Sequence, residues 1–189
     1  MKNPPWSSLS KWFWAPFLFL LVAGCDIKST TDIYLADLLE VVETGTAIET
    51  SSQLMVEISS SSECEETTGK LLPMLQGTFG DGVTGKGCHD EGMSSYITFE
   101  LAVPIHQDTS GKEGDSTLAI LISKRDDWHG IQMKVNVMRM DNLARMISDE
   151  FYQSVDFSTA KVGLNLSNDL RQSVTIRVRD AFVNGDPIQ

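Results

Sequence analysis

Beyond residue 26 the chain passes back and forth between two hydrophobic periods. In IYLADLLEVVETG, Ile33, Ala36, Leu39 and Val42 share one helical stripe, with Thr31 or Asp32 placed to cap it and Gly45 to end it. Ile33 to Leu35 also suits an extended lead-in through Tyr34. QLMVEIS alternates Leu54, Val56 and Ile58 and predicts a strand. Ser62 and Glu65 then stand at capping-box spacing, which opens a helix with Cys64 in its first turn. Its buried side is Leu71, Leu72, Met74 and Leu75, and Pro73 is placed to kink or end it. SYITFELAVPI, residues 95–105, puts Ile97, Phe99, Leu101 and Val103 on one face of a further strand. After a polar loop at 106–116, TLAILIS from Thr117 and IQMKVNV from Ile131 both alternate, and RDDWHG at 125–130 reads as the hairpin loop between them. Asp141 caps a helix carrying Leu143, Met146, Ile147 and Phe151, with Glu150 breaking the stripe. VGLNLS from Val162 and SVTIRVRDAFV from Ser173 are the last strands, the second continuing through an Asn184-Gly185 turn.

This order predicts an α+β fold: a single mixed or mainly antiparallel sheet with two to three helices on one face. The succession strand, helix, strand, strand occurs from Leu54 and again from Ile131, which also admits a duplicated β-α-β-β unit, although the halves share no residue-level similarity.

The first residues follow a different rule. The apolar run Trp12 to Gly24 is 13 residues long, whereas a ~30 Å hydrocarbon core takes about 20 helical residues. Lys2 and Lys11 precede it without any acid, the layout of a secretory signal. Pro4, Pro5 and Pro16, with Trp6, Trp12 and Trp14, fit a buried core helix poorly. Leu21-Val22-Ala23-Gly24-Cys25 resembles the lipobox of bacterial lipoproteins. That resemblance implies diacylglycerol in thioether linkage on the Cys25 sulfur, cleavage after Gly24, and often acylation of the new amino group. Asp26 resembles the second-position aspartate that, in enterobacteria-like lipoproteins, withholds the protein from export to the outer membrane. The resemblance therefore implies the periplasmic face of the inner membrane, with the outer membrane as the alternative. On this reading residues 1–24 are removed, 25–32 form an acylated tether with a reach of about 23 Å, and 33–189 form a single periplasmic domain.

Losing Lys2 and Lys11 leaves 13 basic against 26 acidic residues, a mature charge of −13. Such a balance excludes nucleic acid as a partner and leaves the lipid, not a basic patch, to hold the protein at a membrane. In an oxidising periplasm the remaining cysteines, Cys64 and Cys88, are most simply a disulfide. The competing arrangement joins Cys64 to Cys88-His89-Asp90-Glu91 around a metal, but neither CxxC nor HxxxH spacing supports it.

Little else carries chemistry. Gly80 to Gly87 satisfies GxxxxGK but ends in glycine where magnesium needs Ser or Thr, so it predicts a flexible loop and no nucleotide. GxSxG is absent, Ser59 to Ser62 have no evident base, His106 and His129 fall in loops, and Asp108 to Asp115 lack calcium-ligand spacing. No catalytic residue, metal or cofactor is expected. Trp128, the single tryptophan after the signal, sits in the hairpin loop as the candidate partner contact. The first expectation is a non-enzymatic interaction module whose partner is another envelope protein. The alternatives are an exclusion or immunity lipoprotein of a prophage or plasmid, a structural lipoprotein of an envelope machine, and a periplasmic hydrolase or metal-dependent enzyme built on His89, Asp90 and Glu91. Replacing Cys25 by Ser is expected to abolish metabolic acyl labelling and release of the mature form, and Asp26→Ser to move the protein to the outer-membrane fraction. An unchanged fractionation of the second variant would reduce Asp26 to a residue without sorting function.

Overall fold

The computed structural model describes residues 26–108, 116–125, 128–152, 154–157, 160–175, 181–183 and 186–188. In chain order these form β1 (Ile27–Tyr34), α1 (Leu35–Thr44), β2 (Ile48–Ile58), α2 (Cys64–Phe79), β3 (Thr84–Glu91), β4 (Ser94–Gln107), β5 (Leu118–Lys124), β6 (His129–Val135), α3 (Val137–Phe151), β7 (Lys161–Ser167), β8 (Ala181–Val183) and β9 (Asp186–Ile188). Seven strands make one mixed, curled sheet in the order β6-β5-β4-β2-β1-β7, with β3 also paired to β4; β8 and β9 pair only with each other.

β4 organises the sheet because its sequence alternates without interruption. Ile97, Phe99, Leu101, Val103 and Ile105 all point inward and are at most 2% exposed. One edge of β4 pairs antiparallel with β2 from Ser95 to Ile105. The other edge is shared: β3 runs antiparallel along Ser94 to Glu100, and β5 runs parallel along Ile105 to Gln107. Leu71 and Leu75 of α2 and Leu143 and Ile147 of α3 pack on Ile97, Phe99 and Leu101. Leu35, Leu38, Val41 and Val42 of α1 pack on Val103, Ile105, Ile120 and Ile122. Since both groups rest on the same alternate positions of β4, the three helices cover one face of the sheet, the predicted α+β arrangement.

The start of the domain departs from expectation. Residues 26–32 are not a tether: β1 begins at Ile27 and is paired on both sides, antiparallel to β2 and parallel to β7. Its inward positions are Ile27, Ser29, Thr31 and Ile33, so half of its buried face is polar in sequence. Those hydroxyls are satisfied internally, Thr31 donating to Ser52 Oγ at 2.9 Å and Ser29 Oγ lying 3.1 Å from the same oxygen. Thr31 and Asp32 therefore belong to the strand and do not cap α1, which starts at Leu35 with Tyr34 before it and no side-chain cap. The buried stripe shifts with it, to Leu35, Leu38, Val41 and Val42. Gly45 does end α1, at φ 69°, and the Gln107 amide donates to the last-turn carbonyls of Val41 and Val42 at 3.2 and 2.7 Å.

Other boundaries moved for local reasons. α2 passes through Pro73, because Leu71 and Leu75 on either side of it are buried and outweigh the one lost backbone bond. α3 starts at Val137, capped by Asn136, whose side-chain oxygen accepts from Arg139 N at 3.2 Å, and not by Asp141. Of the glycine stretch ahead of Cys88, residues 80–83 are turn as expected, but from Thr84 it is strand: β3 pairs with β4 through a register shift between Gly85 and Gly87, the latter at φ 102°. The second strand-helix-strand block does not repeat the first, since β6 and β7 lie at opposite edges of the sheet while β2 and β4 are neighbours. Of the strand expected from Ser173, residues 173–175 are not strand, 176–180 lie outside the described residues, and 181–183 pair with 186–188.

Ser52→Ala is expected to lower unfolding free energy by about 1–3 kcal/mol in urea denaturation, because it leaves the buried Ser29 and Thr31 hydroxyls unpaired. Adding Ser29→Ala and Thr31→Val should recover most of that loss.

Candidate interaction surface

Curling of the sheet gathers charged residues on the face turned away from the helices. Lys28, on β1, donates to Glu91 at 3.1 Å and to the Tyr96 hydroxyl at 3.2 Å, with its ammonium 4.3 Å from the Tyr96 ring centre. The Tyr96 hydroxyl, and then Glu91, hold the Lys28 ammonium protonated well above its ordinary range. His89 stacks on the other side of this group, 5.9 Å from the Tyr96 ring. Asp26 is drawn into the same cluster: Lys161 Nζ lies 3.2 Å from both carboxylate oxygens and Lys28 Nζ 3.7 Å from one. Its backbone is held as well, Asp26 N–H donating to Glu57 Oε2 at 3.1 Å and Asp26 C=O accepting from Glu57 N–H at 3.0 Å. The sequence carried no local signal for this cluster, because its members come from five strands.

Cys64 and Cys88 are joined, with Cα atoms 6.1 Å apart, tying the first turn of α2 to β3. Closing that 24-residue separation contributes about 3 kcal/mol in the chain-entropy account. His89, Asp90 and Glu91 do not converge. As successive strand residues they alternate in direction, and each has its own neighbour: Thr98 Oγ1 at 3.4 Å from His89 Nδ1, Ser95 Oγ donating to Asp90 at 2.6 Å, and Lys28 on Glu91. Among the described residues no three His, Cys, Asp or Glu side chains are grouped to hold a metal. Cys25 lies outside the described residues.

Apolar surface is left open at both end strands, at Val162 and Leu164 of β7 and more extensively at β6. α1 packs mainly on β1, β4 and β5. Ile131, Met133 and Val135 of β6 stand opposite Ile122, Ile120 and Leu118 of β5, on the core-facing side, yet Ile131 and Val135 remain exposed. The strip continues into the first residues of α3, where Val137 is 67% and Met138 72% exposed. Trp128, 55% exposed, lies beside this strip on the opposite face of the sheet, with its ring against Gly130, where an added Cβ would approach to 3.0 Å. Among the described residues β6 pairs only with β5, so its outer edge offers backbone donors and acceptors. Beside Met138, the cleft between α2 and α3, of about 640 Å³, is lined by Arg139, Asn142 and Arg145 among others. The sequence signal for this strip was faint: Val135, Val137 and Met138 continue an apolar run across the strand-to-helix junction, off the Leu143–Ile147 stripe.

The geometry is thus that of a helix-covered mixed sheet with an unshielded apolar edge, an architecture suited to binding an extended segment. By its sequence the chain belongs to the family described as a domain of unknown function, DUF7424, which it matches over residues 27–189. The family domain and β1 begin at the same residue. No curated protein and no solved structure matches the chain.

The β3 bulge supplies a pH test. Lys86, the extra residue of the bulge, pairs with Glu100, which also accepts from Ser51 Oγ at 2.7 Å. Lys86 first, and Ser51 second, hold the Glu100 carboxyl below the usual carboxylate range. A depressed carboxyl adds stability above its unfolded value, near 4.3, and loses it as pH falls through the lower folded value. Amide exchange in β3, corrected for intrinsic rates, is expected to speed up below about pH 4, and Glu100→Gln to remove that step.

Proposed function

We propose that this protein is a lipid-anchored module of the bacterial envelope that works by binding another envelope protein. Acylation at Cys25 holds it in the membrane, Asp26 keeps it on the periplasmic face of the inner membrane, and β6 with the start of α3 receives the partner. The observation that carries the reading is the uncovered strip from Ile131 to Met138, with Trp128 on the other face of the same edge, on a strand whose outer edge has no partner among the described residues. Folded proteins normally guard such edges, and an apolar one left open suits strand addition: main-chain bonds supply affinity and alternate side chains specificity. The fitting partner segment is extended, with apolar residues on alternate positions.

Photo-crosslinkers placed at 128 and 131 are expected to capture one envelope protein in intact cells. Ile131→Lys or Met138→Asp should cut that capture by an order of magnitude or more, as for a residue near the centre of an interface, without altering the urea midpoint. Capture that is absent, or indifferent to both substitutions, would overturn the reading.

A further inference from the structure

The cluster around Asp26 fixes the point at which the chain enters the domain. β1 starts level with the far end of β2 and the start of β4: Ile27 is opposite Val56, and Val56 is opposite Ile97. From Ile97, β4 extends outward through Ser95 and Ser94 to the hairpin that joins it to β3, where Glu91 pairs with Ser94 and Gly92 and Met93 form the tip. The Lys28–Glu91 bond of 3.1 Å ties the start of β1 to this hairpin across the curled sheet. Asp26 and Met93 thus lie at one end of the molecule. Met93 is fully exposed, at 106% of its reference area, and no other described apolar residue is more so.

We infer that the Gly92–Met93 hairpin tip rests in the phospholipid bilayer as a second membrane contact beside the lipidated N-terminus. The inference rests on the proposed acylation of Cys25. With Asp26 pinned by Lys161, Lys28 and Glu57, a single peptide step of about 3.8 Å separates a fixed residue from the one that carries the acyl chains. The sheet end that holds Asp26 then faces the bilayer at interfacial depth, and a hairpin running outward from it by several residues at about 3.3 Å each reaches the headgroup and acyl boundary. Methionine suits that boundary: it is apolar and flexible, and exposing it to water forgoes burial that the bilayer offers. Charge opposes the contact, since Lys28 and Lys161 offset Asp26 and Glu91 but Glu57, the Ser95-bonded Asp90 and, just past the end of β2, Glu63 and Glu65 stay at this end, so the contact rests on the apolar tip. No basic patch drives it, so it should persist in high salt.

The test uses the full acylated protein in phosphatidylethanolamine/phosphatidylglycerol vesicles, with Met93→Cys carrying an environment-sensitive dye. A second variant, Thr46→Cys, labels the opposite end of the sheet, just after α1 and before β2. The dye at 93 is expected to shift to the blue and lose most of its emission to nitroxides carried on the lipid, at low and high salt alike, while the dye at 46 does neither. Equal, unquenched emission from both positions in protein that carries acyl label would overturn the membrane contact and leave the anchor intact. Absence of acyl label on Cys25 would overturn the anchor and the contact together. Shielding of position 93 in whole envelopes but not in pure lipid would assign the tip to a protein and overturn the contact as well.

Discussion

Strand β1 is hydrogen-bonded along both edges, antiparallel to β2 and parallel to β7, and its first residue follows Asp26 directly. Much of the molecule depends on that placement. β7 pairs only with β1 among the described residues, so the sheet ends at β2 without it. α1 leaves the end of β1 with no linker, which sets its stripe down on Val103, Ile105 and Ile120. The inward hydroxyls of β1 and β2 sit between two apolar clusters, and they close on one another through Ser52 instead of demanding water. A strand bonded on both sides is also a rigid mount, and the proposed lipid site is one residue before Asp26 in sequence.

The same architecture explains why β6 is left open. The helices follow the inward face of β4, with α2 and α3 over its first half and α1 over its second. β6 lies two strands from β4, and its inward residues are covered only in part. The other irregular strand, β3, is stapled to α2 by the Cys64–Cys88 bridge and pinned to β4 by the Lys86–Glu100 pair. β3 is thus secured by covalent and ionic ties, whereas the end strands β6 and β7 each pair on one side only among the described residues and leave inward apolar residues exposed, most extensively at β6 and the start of α3.

How far the sequence foretold this depended on whether burial and polarity agreed. Ile97 to Ile105 announce a strand because every inward position is apolar, and the β5–β6 hairpin was legible for the same reason. β1 was hidden because Ser29 and Thr31 face inward, and a strand whose buried groups are hydroxyls reads as a polar tether until its partner Ser52 is placed beside it. Val137 extended the apparent strand IQMKVNV into what is helix, and the cap was placed at Asp141 instead of Asn136. The cysteine pair could be read from its number and compartment. The exposure of Val137 and Met138, the convergence of Lys28, Tyr96, Glu91 and Lys161, and the open edge of β6 are properties of strand order, and strand order is not local.

The central claim is that the folded domain reaches back to Asp26, so that no free tether separates it from the proposed lipid site. Residue-resolved hydrogen exchange on the amides of 27–34 tests it most directly. The account expects protection in β1 equal to that of its neighbour β2, since both are interior strands with inward residues in the core. Exchange at random-coil rates through residues 27–32, with β2 and β4 still protected, would contradict it.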